Sequence, residues 1–540
     1  MSDSTTVHDI VVVGAGYAGI YTTIHAAQAG LDVIGLEAGA DIGGTWYWNR
    51  FPGARCDVES IDYSYSFDKD LQRQWRWSER YATQPEILRY LSHVADRHDV
   101  RRHYRFSQRV SQARWDEDAQ VWTVRTEQGL ETSARWLVMA SGCLSTPILP
   151  DLPGRESFAG DVYQTAAWPH EHPDFTGKRV AVIGSGASAV QSVPIFAESA
   201  AEVVVYQRTA NYSVPAFNRP LTDEDWRAAQ EDYDHRRELS WNGLAGSPWT
   251  SHPVPYDEVP EEEREAIFEE AWLRGGVLFA KAFQGLTARQ EINDAAREFF
   301  ERKLAEIVED PQTLADLTPH GYAIGTKRIC TDSGYYRSFN LPHVSLVNLR
   351  RDPIVEVGPS GIRTESGLRE FDVIVYATGF DAMTGALTHI DIHGRDGILL
   401  RDAWAEGAVN YLGIGVPGFP NLLTLNSAGS PSVLSNMALT SEQQGDYALR
   451  LIAHCAAQGF TSAEVRADAA QAWIEHGAEV ASGSLFSKTD SWYSGANIAG
   501  KARGFLPYIG GFRPYIDRVD RIADEGYTGF VLSTRTAVPA

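Results

Sequence analysis

The sequence predicts an α/β chain with two doubly wound, Rossmann-like domains and a helical insertion in the second. Three observations carry this reading. "HDIVVVGAGYAGIYTTIHAAQAGLDVIGLEAG" reads as strand, tight turn, helix, strand. "KRVAVIGSGASA" starts the same pattern again at Lys178. Between Pro215 and Pro319 the chain is acidic with a helical period, as in "EEEREAIFEEAWLRGG", which predicts a solvated helical insertion. A chain of 540 residues is too long for one hydrophobic core.

In the first unit, Ile10–Val13 is a buried strand. Gly14, Gly16 and Gly19 then form a GxGxxG turn. Gly14 permits the tight turn, Gly16 lets the backbone approach a pyrophosphate, and Gly19 lets the helix pack on the strand. The helix N-terminus faces the phosphates with free N–H groups. The second strand, Val33–Leu36, ends in Glu37, a carboxylate that can accept bonds from a ribose diol.

In the second unit the strand is Arg179–Ile183, and Gly184, Gly186 and Ala189 stand where the first has Gly14, Gly16 and Gly19. Ser188 lies inside this turn. At the offset of Glu37 stands Gln207, followed by Arg208 and Thr209. An acid beside a ribose repels a 2′-phosphate, while an arginine pairs with it. The first unit is therefore expected to hold FAD and the second NADPH. Two such units imply hydride transfer from NADPH to flavin. Electrons then go to oxygen or to a small organic acceptor.

Composition narrows the field. The net charge is −23 and no Lys/Arg-rich block offsets it, so nucleic acid and anionic membranes are poor partners. Cys56, Cys143, Cys330 and Cys455 form no CxxC, which argues against a zinc site and against dithiol redox chemistry. The cysteine usage fits a reducing cytoplasm. The N-terminal "MSDSTTVHD" lacks a basic region and an apolar core of a leader, and no apolar run is long enough to span a bilayer. A cytoplasmic chain without a membrane segment or metal is expected; its oligomeric state is not legible.

The segment "GGTWYWNRFPGARCDVES" follows the first unit. Its glycines can bring the backbone close to a cofactor, its aromatics supply an apolar wall, and Asp57 supplies a carboxylate. With this segment the chain resembles the type I Baeyer–Villiger monooxygenases, nearly end to end and most like the phenylacetone and cyclohexanone monooxygenases. The family motif GxWxxxxFPGxxxD is matched from Gly44 to Asp57. Thr45 and Trp46 fall within it as cofactor-contact candidates. A second fingerprint, FxGxxxHxxxWP, is matched by Phe158, Gly160, Trp168 and Pro169, in what the resemblance implies is the linker between the domains. Gln164 stands at the histidine position. Glutamine can order a linker by hydrogen bonding but cannot titrate near neutral pH.

The resemblance also assigns roles. Arg328, in "HGYAIGTKRICTDSGYYRSFN", corresponds to the arginine placed over the flavin. It would keep a C4a-peroxyflavin deprotonated and stabilise the anionic adduct with a ketone, with Asp57 holding it. Lys327 would join Arg208 at the NADP 2′-phosphate. "VIVYATGFDA" would return the chain to the FAD domain at Thr378 and Gly379, and Ser427–Met437 would lie near flavin and substrate. Trp492 would anchor a loop closing over NADP. The expected division is 1–150 and 381–540 for FAD, and 151–380 for NADP with the insertion at about 215–325. The implied activity is NADPH- and O2-dependent conversion of a small-molecule ketone to an ester or lactone. A flavin N- or S-oxygenase, which would not need Arg328, and a non-catalytic FAD/NADP-binding protein remain as alternatives.

Overall fold

The computed structural model describes residues 6–534; Met1–Thr5, the start of the stretch read for a leader, lie outside the described residues. Among the described residues no helix is long and apolar enough to cross a membrane.

Two sheets organise the chain. In the first, Val7–Val13 pairs in parallel with Val33–Leu36 on one side and Glu131–Met139 on the other. Leu422–Thr424 returns from far down the chain to pair, also in parallel, with Glu131–Met139. The register aligns Val13, Leu36, Met139 and Thr424 at one carboxyl edge, so Gly14, Glu37, Ala140 and Leu425 leave the sheet together. Ligands of open α/β sheets bind outside such an edge.

This sheet is not purely doubly wound. Val110–Asp116, Val121–Thr126 and Glu131–Met139 form an antiparallel meander beside the parallel strands. Alternation causes it. Buried Trp122, Val124 and Thr126 are separated by side chains that are more exposed, a period of two. Gly129, at φ +87, closes the second turn of the meander in a conformation that favours glycine.

The second sheet has five parallel strands, in the order Val344–Asn348, Glu202–Gln207, Arg179–Ile183, Val373–Tyr376, Asp161–Gln164. The second fingerprint runs through the edge strand of this sheet, so the segment is packed on the second unit. Gln164 ends the edge strand, and Trp168 is only 3% exposed, packed among Tyr163, Phe175 and Phe196. Proline after tryptophan suits an extended exit from the short Thr165–Ala167 turn.

The region 215–325 contains the helices Asp223–Asn242, Glu261–Arg274, Gln290–Ala305 and Pro311–Leu317. Their outer faces are acidic, but they are more than a solvated appendage. Phe268, Trp272, Phe279, Phe299 and Phe300 form a core continuous with that of the second sheet. The helix Asp223–Asn242, started by a Thr222–Asp225 capping box, instead docks on the loop after the first unit. Arg236 pairs there with Glu59 and Asp62, and Arg237 donates to the Asp62 carbonyl and the Ser64 hydroxyl.

The two crossings between the sheets hold each other. The Ile148 N–H donates to the Gly379 carbonyl at 3.0 Å. The Ile148 carbonyl accepts from Thr378 Oγ1 at 2.5 Å and from Gln164 Nε2 at 3.2 Å.

Candidate active site and cofactor cradles

The first turn is shaped by backbone contact. A β-carbon on Gly19 would stand 1.9 Å from the Gly14 carbonyl oxygen, so only glycine lets this helix approach. The Gly43–Gly44 loop folds onto the turn: Gly43 N–H donates to the Ala15 carbonyl, and a β-carbon on Gly44 would meet Gly16 Cα at 2.7 Å. Glu37 is 4% exposed. Its Oε2 accepts from Ala15 N–H at 2.7 Å and its Oε1 from Gly39 N–H at 2.6 Å. Burial raises its pKa, and the backbone donors oppose that shift. Past the same sheet edge, Asn426 Oδ1 and Ser427 Oγ are buried without hydrogen-bond partners. Buried polar atoms of this kind call for a partner. A tight glycine cradle, a ribose-type acid and orphaned polar atoms at one edge fit a bound FAD.

Thr45 and Trp46 differ in exposure. Thr45 is exposed at the start of the short Thr45–Trp48 helix. Trp46, expected as a wall facing the cofactor, is buried in an aromatic cluster with its indole N–H on the Tyr63 hydroxyl at 3.3 Å. Burying the ring among tyrosines outweighs presenting it to solvent.

The second turn repeats the first with more room. Gly186 has nothing within 4 Å of an added β-carbon, and the Ala187–Ala197 helix starts beneath it with Ser188 in its first turn. Gln207 turns away from the cradle, its Nε2 donating to the Asp316 carbonyl at 2.7 Å. Arg208 stays exposed. Thr209 is tied to the turn through its carbonyl, which accepts from Ser185 Oγ. Lys327 lies over the Tyr322 ring at 4.3 Å. Its pKa is lowered by burial first and then by the charge of Arg208, with Arg350 adding to the effect and Asp490 opposing it. Arg350, not singled out in the sequence, donates from Nε to the Arg208 carbonyl at 3.0 Å. Three cations gathered beside this turn, two of which lower the pKa of the third, fit a phosphate.

Between the cradles, Arg328 meets Asp57. Nε donates to Oδ2 at 2.5 Å and Nη2 to Oδ1 at 2.8 Å, a bidentate fork. Nη1 donates to the Val433 carbonyl at 3.0 Å. Burial disfavours both charges, but each partner more than offsets it, so Arg328 is raised and Asp57 lowered. Tyr493, whose phenol burial pushes up to about 12, lies beside the pair, and Trp492 packs on it with ring centroids 4.0 Å apart. The loop bearing both is pinned at three points. Thr489 and Thr326 share a hydrogen bond, Asn497 donates to the Phe380 carbonyl, and Lys501 pairs with Asp381. A cavity of about 180 Å³ opens against the ion pair, walled by Asp57, Tyr81, Leu278, Arg328, Leu434 and Tyr493. Val433 and Tyr493 lie in segments that the sequence already places near the site, whereas Leu278 carries no motif and only the long-range fold brings it here.

Comparisons with known proteins place the chain in a family. A family model described as pyridine nucleotide-disulphide oxidoreductase matches residues 11–231. The disulphide chemistry in that description has no counterpart here, since the four cysteines are free and buried. A 2-oxo-Δ3-4,5,5-trimethylcyclopentenylacetyl-CoA monooxygenase of Pseudomonas putida is 39% identical over 97% of this chain and 98% of its own length. A Baeyer–Villiger monooxygenase of Pseudooceanicola batsensis is 38% identical over 97% and 96%. The solved structure of an oxidised steroid monooxygenase bound to NADP is 49% identical, superposes with a TM-score of 0.94, and covers 98% of this chain and 100% of that one. The chain belongs to the flavin-dependent Baeyer–Villiger monooxygenases, with FAD and NADP(H) as its cofactors.

Proposed function

We propose that the chain oxidises small-molecule ketones to esters or lactones in the cavity beside Arg328. One ketone, one O2, one NADPH and one proton give ester, NADP+ and water. The observation that carries this reading is the fixed guanidinium of Arg328, held by Asp57, on the wall of a cavity. Residues 1–150 and 381–540 would hold FAD, through Gly14, Gly16, Gly19, Glu37, Gly44 and Thr45. Residues 151–380 would hold NADPH, through Gly184, Gly186, Ser188 and Ala189, with Arg208, Thr209, Lys327 and Arg350 at the 2′-phosphate. FAD, when bound, supplies the hydride acceptor and the centre that activates O2; NADPH supplies the hydride.

Arg328 has a defined task. A guanidinium has about five N–H donors, and the bonds above engage three of them. One N–H on each terminal nitrogen is left for negative charge developing on the ketone carbonyl oxygen. Asp57 fixes the plane of the fork, and its lowered pKa keeps it anionic at neutral pH. The pinned loop bearing Trp492 and Tyr493 walls the site against water. Four free, buried cysteines fit a reducing cytoplasm as the setting.

The test is Arg328→Ala. Flavin reduction by NADPH should persist, ester formation should fall by about a hundredfold or more, and the NADPH consumed should appear as hydrogen peroxide. Ester made at the parent rate would remove Arg328 from its role. An N- or S-oxide with no ester from any ketone would move the chain to the other oxygenase class.

A further inference from the structure

Resting on that reading, the charges around the cavity contain one that the reaction leaves unused. Three carboxylates line it: Asp57, Glu59 and Asp62. Each is matched. Asp57 is held by Arg328. Glu59 Oε1 accepts from Arg80 at 2.7 Å, and its Oε2 accepts from Arg236 and from the Trp249 indole, both at 2.8 Å. Asp62 receives both of its bonds from Arg236, at 2.6 and 2.7 Å. Three guanidiniums thus answer three carboxylates.

Lys281 is left over. It ends the Gly276–Lys281 turn, which also supplies Val277, Leu278 and Ala280 to the wall. Among the described residues its ammonium makes no ion pair within 4.0 Å and no hydrogen bond. Burial alone lowers its pKa, with no neighbouring charge contributing. Lys281 is half-buried in this lining, and a cation placed there without a partner gains from a counter-charge that a bound ligand brings. The acids of the lining are already committed to arginines, which leaves Lys281 available to a ligand from outside the chain.

We propose that Lys281 selects the substrate. The cavity takes ketones that carry a carboxylate on the side away from the carbonyl. Arg328 receives the carbonyl oxygen at one wall, and Lys281 receives the carboxylate at another. Substrate orientation is then set by two cations of different kinds: a planar fork locked by Asp57 and a mobile ammonium.

The experiment compares 4-oxocyclohexanecarboxylate with its methyl ester, using FAD-loaded enzyme and following lactone by mass. The parent should prefer the acid in kcat/KM. Lys281→Met keeps the length and removes the charge, and it should cut the acid-over-ester ratio by about tenfold or more. Lys281→Arg should restore most of it. A parent ratio at or below one overturns the proposal. So does a Lys281→Met loss that is equal for both substrates, or one that appears as a raised KM for NADPH. Lactone from unsubstituted cyclohexanone but no acid preference would defeat this inference alone. Absence of lactone from all three ketones would defeat the oxygenation reading and this inference with it.

Discussion

At the first glycine turn, a β-carbon on Gly14 would meet the Ala140 carbonyl oxygen at 2.5 Å; at the second, one on Gly184 would meet the Ala377 carbonyl oxygen at 2.3 Å. Ala140 and Ala377 each follow the neighbouring parallel strand. Ala140 starts the path out of the first sheet and Ala377 the path back. The two cradles are thus alike in backbone down to the neighbour that crowds them. They differ at the end of the next strand. Glu37 bends its carboxylate back onto Ala15 N–H, under the turn. Gln207 points away into the helical region, and Arg208, Lys327 and Arg350 gather instead. On the proposed assignment, backbone shape would select a pyrophosphate in both places, and one strand-end residue with the charges near it would select which dinucleotide.

The largest break in this likeness is at the third position of the turn. Gly19→Ala places a β-carbon 1.9 Å from a backbone oxygen, and 2.9 Å from the Tyr104 hydroxyl. Backbone cannot yield as a side chain can, so the cost should reach about 3 kcal/mol or more. The purified protein should be largely colourless and lose FAD on dilution. Ala189→Gly, at the equivalent place, should cost only about 0.5–1 kcal/mol of helix stability and leave NADPH binding nearly intact. Equal FAD retention by Gly19→Ala and the parent would show that the first turn is not so tightly built.

A smaller effect sharpens the electrostatic half. Arg208→Ala removes a charge-assisted bond of about 1.5–3 kcal/mol, so the NADPH-over-NADH preference in kcat/KM should fall by about tenfold or more. Arg350→Ala should lower it in the same direction, since Arg350 braces the Arg208 carbonyl and adds charge. NADH kinetics should change little in either variant. A parent enzyme indifferent to the 2′-phosphate would sink the assignment of this cluster.

Local order was legible in the residues. The strands Val33–Leu36 and Arg179–Ile183 fall where the apolar runs place them, because a buried parallel strand writes its whole length as an apolar run. The meander is not distinguished by a fold class of two doubly wound units, because the period-two alternation in "VWTVRT" is short. The Arg328–Asp57 pair came from family resemblance alone. Its members lie on separate loops, and nothing in either loop encodes the other. Lys281 and Arg350 were not legible at all, since an unpaired cation is defined by what surrounds it in space. The resemblance puts Trp168 in the segment joining the domains, but its burial against Phe175 and Phe196 is set by neighbours distant from that fingerprint.

The smallest effect concerns the place where the two halves are joined. Gln164 donates to the Ile148 carbonyl at 3.2 Å, but that oxygen also accepts from Thr378 Oγ1 at 2.5 Å. Ile148 is held further by its own N–H on Gly379. Gln164→Ala therefore leaves no acceptor orphaned. Its cost should stay below about 1 kcal/mol, the net value of one neutral hydrogen bond. Thr378→Val removes the shorter bond and should cost more than Gln164→Ala. The double variant should cost more than the sum of the two, because only then is the Ile148 carbonyl stripped of both side-chain donors. Thermal unfolding of the four proteins, with ester yield per NADPH, measures this directly. Gln164→His tests the other half of the question. An imidazole N–H reaching the same carbonyl would leave stability unchanged and add a pH dependence near about 6.5 to the coupling. Strict additivity, or a Gln164→Ala loss larger than that of Thr378→Val, would mean the glutamine carries a contact of its own.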